Sequence, residues 1–199
     1  MLFASAVLGA GSAAAQGEAG LRREPPLAAL SVDAKPGAPQ PVPPLVLERL
    51  VPVGAPVQQV DRATFAGRVV LVHFFATWCE PCREELPALN RLAARFADRP
   101  LTLLAVDVGE VDTRVRRFTE TTPIAFPILM DRERGAARAW DVSVLPASIL
   151  IGPDGQVRAQ AQGPVDWDRA ETDRAIATLL APALNTPHSL NDPSGGPTQ

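Results

Sequence analysis

The sequence predicts an α/β domain in which helices cover a mixed central sheet that ends in an antiparallel hairpin. Three observations lead there. Short runs rich in Val, Ile, Leu and Phe at residues 69–75, 101–108, 126–130 and 147–151 have the composition of strands buried on both faces. Stretches with helical periodicity separate these runs, which is the alternation that builds parallel pairs. The turn sequence Gly152-Pro153-Asp154-Gly155 follows the last run and sends the chain back antiparallel.

Taken in order, the strand at 69–75 feeds a helix over 79–97, where Cys82, Leu86, Leu89, Ala93 and Phe96 recur at three- and four-residue spacing and form one apolar face. Pro87 falls inside that helix, where a proline costs about 3 kcal/mol or kinks the chain. The strand at 101–108 leads to a shorter helix over 111–119. The strand at 126–130 leads to another over 132–140. After the turn, residues 156–162 alternate weakly and complete the hairpin, and a helix over 166–180 closes the domain.

The two ends read differently. An apolar stretch over residues 2–10, followed by small residues and Ala13-Ala14-Ala15, predicts a signal peptide at 1–15, although no Lys or Arg precedes Arg22. From residue 21 to residue 56 there are nine prolines, the composition of an extended polyproline-like tether. This gives a Pro-rich disordered linker at 16–44, a folded domain at 45–184 and a polar, disordered tail at 185–199.

With 199 residues, 46% hydrophobic and 21% charged, the chain is long enough for one core without a disulfide framework, so its two cysteines are free for chemistry. A net charge of -3 supplies no positive field, and nucleic acid is not expected as a partner. No run approaches the roughly 20 apolar residues of a membrane-spanning helix.

The chemistry concentrates at Trp78-Cys79-Glu80-Pro81-Cys82, which follows a buried strand and opens a helix. Sulfurs three residues apart in a first helical turn lie close enough to bridge. Cys79 stands where unpaired N–H groups and the helix dipole favour an anion, which makes it the nucleophile. The dipole supplies at best about 2 kcal/mol, so hydrogen bonds from Cys82 must help hold the thiolate. Cys82 is then the resolving thiol.

Glu80 adds negative charge beside Cys79, opposes thiolate formation and favours a reductant. The histidines His73 and His188 are the only two, too few to close a four-ligand zinc site with the cysteine pair, and no cofactor motif is present. Neither a stable metal nor a cofactor beyond the cysteine pair is expected.

Three segments carry a family resemblance: Phe74-Phe75-Ala76-Thr77-Trp78-Cys79-Glu80-Pro81-Cys82-Arg83-Glu84-Glu85-Leu86-Pro87, Phe126-Pro127-Ile128-Leu129-Met130-Asp131, and Val144-Leu145-Pro146-Ala147-Ser148-Ile149-Leu150-Ile151-Gly152-Pro153-Asp154-Gly155. Over residues 45–180 the chain resembles the thioredoxin superfamily, and more narrowly its TlpA-like and ResA-like exported thiol-disulfide oxidoreductases. The resemblance implies a thioredoxin-like three-layer fold, with residues 109–130 as an extra helix-strand insertion and a kink at Pro87.

It further implies a cis Pro146 facing the disulfide, with the Leu145 backbone pairing an extended client and Trp78, Glu80 and Pro81 bordering the same surface. Glu85 matches an acidic position near the active site that would raise a cysteine pKa and relay protons; the alternative is a solvated surface carboxylate. His73 stands where many thioredoxins carry a buried Asp that accepts a proton; the alternative is a histidine satisfied within the core.

The function expected is a periplasmic or extracytoplasmic protein-disulfide reductase, recharged by a membrane thiol-disulfide donor. Its clients would be apocytochrome c or a copper-site protein. An oxidising partner of secreted proteins, a Cu(I) metallochaperone and a peroxidase are the competing readings. The last requires a Thr-x-x-Cys site, whereas Thr77 lies two residues before Cys79.

Overall fold

The computed structural model describes residues 42–184. Its strands are β1 (Val46–Arg49), β2 (Gln58–Asp61), β3 (Val69–Phe75), β4 (Leu101–Val108), β5 (Ile128–Asp131), β6 (Ala147–Ile151) and β7 (Val157–Gln162), in one sheet ordered β2-β1-β5-β4-β3-β6-β7. The helices are α1 (Glu80–Arg95), α2 (Asp112–Thr121), α3 (Gly135–Ala139) and α4 (Ala170–Leu184).

Every residue of β3 is buried, which is why its sequence is an unbroken apolar run apart from His73. It pairs parallel with β4 and antiparallel with β6, and β4 pairs parallel with β5. The alternation along β3 divides the core. Val69 and Leu71 pack with Leu86, Leu89 and Leu92 of α1 and with Trp167, Ile176 and Leu180, while Val70, Val72 and Phe74 pack with Trp140 and Leu129 on the α3 side. Helices on both faces of the mixed sheet are the three-layer arrangement expected.

The β6–β7 hairpin forms as the turn sequence requires: Gly155 takes a φ of 78°, the Gly152 N–H donates to the Gln156 carbonyl at 2.9 Å, and Asp154 accepts the Gln156 N–H at 3.2 Å. α3 starts later than its periodicity indicates because Asp131 caps it, accepting the N–H groups of Ala136 and Ala137 at 3.1 and 2.8 Å. α4 likewise begins four residues late, after a turn that carries Val165 and Trp167 into the core.

The prolines at 52 and 56 fall within the folded domain and not in an extended tether: Val46–Arg49 is a strand paired antiparallel with both β2 and β5, and the Ala55 N–H closes a turn onto the Pro52 carbonyl at 3.1 Å. Leu45 is the reason: it is 1% exposed and anchors this segment in the core beside Trp140. The predicted signal peptide, nearly all of the linker and the tail lie outside the described residues.

Candidate active site

β3 ends at Phe75, and the next turn delivers Cys79 to the N-cap of α1, where its Sγ accepts the Cys82 N–H at 3.3 Å. Pro81 suits the first turn, whose N–H groups have no intrahelical acceptor. Cys79 and Cys82 are joined in a disulfide with a Cα separation of 5.3 Å, inside the ordinary range for such bonds. Cys79 is 4% exposed and Cys82 fully buried, so the partner of Cys82 must be brought to it by Cys79.

Next to Cys79, Trp78 is 62% exposed. Glu80 does not stand alone beside Cys79 as the sequence implied, because Arg83 donates to it at 2.9 Å. That pair is exposed and weak, so it reduces rather than cancels the negative charge.

The Leu145–Pro146 peptide is cis. Leu145 packs against the cluster that contains both cysteines, and Pro146 is buried, its carbonyl accepting the Gly163 N–H at 2.7 Å. Gln162, which sequence reasoning missed, holds this loop. Its Oε1 accepts the Ser143 and Val144 N–H groups at 3.1 and 3.2 Å, and its Nε2 donates to the Asp141 carbonyl at 2.7 Å.

Glu85 is not a solvated surface residue. It is 5% exposed, and its Oε1 accepts the Val165 N–H and, at 3.1 Å, the Trp167 Nε1–H. Burial pushes its carboxyl up to about 7, against the pull of those two donors. The structure also brings His73 to it, with Nε2 at 3.8 Å from Glu85 Oε2 and Nδ1 at 2.9 Å from Ser148 Oγ. Burial lowers the imidazole to about 3, so His73 is neutral and the contact is not an ion pair near pH 7.

A second set was not read from the sequence. Glu110 accepts the Thr77 N–H at 2.5 Å and the Thr77 hydroxyl at 2.8 Å, so it fixes the turn that presents Cys79. The fully buried Asp107 lies beside Glu110, and burial together with Glu110 pushes its carboxyl up to about 8. An acidic residue ending an apolar strand was the one available signal. Among the described residues no group of three His, Cys, Asp or Glu could hold a metal, and no helix is long and apolar enough to cross a membrane.

A family model described as the AhpC/TSA family matches residues 40–160. Thiol-disulfide oxidoreductase ResA of Bacillus subtilis (strain 168) is 34% identical over 100 residues, 50% of this chain and 56% of that one. The protein of the same name from Geobacillus kaustophilus (strain HTA426) is 36% identical over 94 residues, 47% of this chain and 54% of that one. The chain therefore spans about half the length of these curated relatives. A solved thiol:disulfide interchange protein, thioredoxin family protein, from Chlorobium tepidum TLS gives a TM-score of 0.62 at 26% identity, over 73% of this chain and 99% of that one.

Proposed function

Because the chain belongs to the AhpC/TSA family and has a thioredoxin-like fold, we propose that it is a thiol-disulfide oxidoreductase that reduces client protein disulfides. The observation that carries this reading is the Cys79–Cys82 disulfide at the start of α1, with the Cys82 N–H directed at Cys79 Sγ.

In the reduced enzyme the Cys79 thiolate attacks one sulfur of the client disulfide, and the other client sulfur leaves as a thiolate. Cys82 then gives up its proton and attacks Cys79 Sγ, which releases the second client sulfur and leaves Cys79 and Cys82 oxidised. Two electrons have passed to the client. Glu85, one helical turn beyond Cys82 and near its midpoint at neutral pH, is suited to take the Cys82 proton, with neutral His73 beside it. The client would meet the exposed Trp78 beside Glu80 and Pro81, and its strand would pair with the Leu145 backbone beside cis Pro146.

The direction is reductive, since Glu80 and Glu85 both disfavour a strongly stabilised thiolate. The partners fitting that direction are apocytochrome c or a copper-site protein as client and a membrane thiol-disulfide protein as electron donor. The location would be periplasmic, reached through a signal peptide cut after Ala15, which mass spectrometry of the mature N-terminus would read. The Thr77 hydroxyl is committed to Glu110, which speaks against a peroxidatic role, and a peroxide assay should give no turnover.

The decisive experiment is Cys82→Ser, which should trap a mixed disulfide between Cys79 and its client, while Cys79→Ser traps none. Adducts from Cys79→Ser alone would reverse the roles. A reduction potential near about -120 mV would mark an oxidant instead, and stoichiometric Cu(I) retention without exchange would mark a metallochaperone.

A further inference from the structure

We propose that Asp107 and Glu110 share one proton and together position the Cys79 turn through Thr77, with Asp107 as a positioning residue for the exchange reaction. The inference rests on that reaction being the protein's function, and it assigns a part to a residue that touches neither sulfur.

Both donors of Thr77, two residues before Cys79, go to the Glu110 carboxylate. Asp107 stands three residues earlier, aligned with Phe75 on β3 and Met130 on β5. Its side chain therefore lies on the sheet face of Phe75, and Phe75 belongs to the cluster that also holds Cys79 and Cys82. It is fully buried, and among the described residues neither of its oxygens has a hydrogen-bond donor. A buried carboxylate in that position is costly unless it is neutralised.

The charged groups around it do not neutralise it. Glu110 and Asp112 are both acidic, and each raises the Asp107 pKa. Arg114 approaches only Glu110, at 3.8 Å, and is 63% exposed. Arg116 and Arg132 are engaged by Asp112 at 3.2 and 2.8 Å. Along β3 the titratable group on this face is His73, which is neutral; α1 contributes Glu85, 3.8 Å from His73 and itself pushed up by burial, and its N-cap and first turn contribute the two cysteines, while β5 contributes Met130. The charge is relieved by a proton: a protonated Asp107 would direct its O–H at the neighbouring Glu110 carboxylate, which accepts both Thr77 donors. Loss of that proton puts a second negative charge beneath the turn, which disfavours the Cys79 thiolate.

The test compares the full-length reduced protein carrying Glu85→Gln with the same chain carrying Glu85→Gln and Asp107→Asn, so that Glu85 cannot contribute an inflection. Iodoacetamide labelling of Cys79 is followed peptide by peptide from about pH 5 to about pH 10. The single variant should rise in two steps, with the second held back near the Asp107 ionisation. The double variant should follow one ionisation, with Cys79 labelled faster above about pH 8 by a factor on the order of 3 to 30. Superimposable profiles would overturn the proposal.

Should Asp107→Asn not fold, carbon NMR of the oxidised wild-type chain decides the matter. An Asp107 carboxyl carbon titrating near 8 supports the pair, and one titrating in the ordinary aspartate range overturns it. That readout needs no exchange activity, so it separates this proposal from a failure of the oxidoreductase reading.

Discussion

Glu85 and His73 are both held near neutrality by burial, yet they act on stability in opposite senses. The folded state binds the Glu85 proton up to about 7 against an ordinary 4.5, so stability falls as pH rises through that window. His73 is lowered from 6.5 to about 3, so its contribution is lost as pH falls through that lower window. Glu85→Gln keeps an oxygen for Val165 and Trp167 and removes the titration. Its unfolding free energy in urea, relative to wild type, should improve by on the order of 2 to 3 kcal/mol between about pH 4 and about pH 8; a flat difference would mean an ordinary carboxyl. The same substitution should slow exchange about tenfold at neutral pH if the carboxyl takes the Cys82 proton. At this scale the sequence showed what was contiguous: Cys79, Cys82 and Pro146 lie in compact motifs. Thr77–Glu110 and Gln162–Ser143 join residues 33 and 19 positions apart, and neither has a signature beyond an acid or amide at a strand end.

Among the elements, β3, β4, β6 and α1 were legible because each buries a long, regular apolar set. β1 and β2 were not, because each has four residues, none of them fully buried, within a proline-rich composition. The apolar face of α1 is expected to dominate its energetics: Leu89, fully buried against the sheet, should cost about 2 to 5 kcal/mol on replacement by Ala, read as a shift in denaturation midpoint. The loop between α3 and β6 depends instead on polar contacts. Gln162→Ala removes acceptors from Ser143 and Val144 and a donor from Asp141. It should cost about 1 to 3 kcal/mol and lower kcat/KM for a peptide disulfide, while the Cys79–Cys82 potential, set at the other side of the site, stays near wild type. A shift in potential of equal size would show that the loop and the helix N-terminus are not separable.

Across the whole molecule, the β1–β2 hairpin couples the N-terminal end of the domain to the redox site. β1 adds to the sheet beside β5 with Glu48 opposite Met130, and Met130 packs in the cluster that contains both cysteines. Arg132 ties Glu48 to Asp112 at 2.7 and 2.8 Å, joining β1 to the start of α2. Leu45 seals the α3 side, where the Trp140 Nε1–H reaches the Pro44 carbonyl at 3.4 Å. A chain beginning at residue 42 keeps all of these contacts, so it should retain the wild-type reduction potential and exchange rate in solution. A chain beginning at residue 58 loses Leu45 and the strand beside β5, and its denaturation midpoint should fall by the equivalent of at least about 2 to 5 kcal/mol, as for loss of a buried leucine. Because β5 carries Ile128 and Met130 beneath the disulfide, exchange in that shorter chain should fall with stability. Unchanged exchange from it would mean that the four strands on the other side suffice to hold the site.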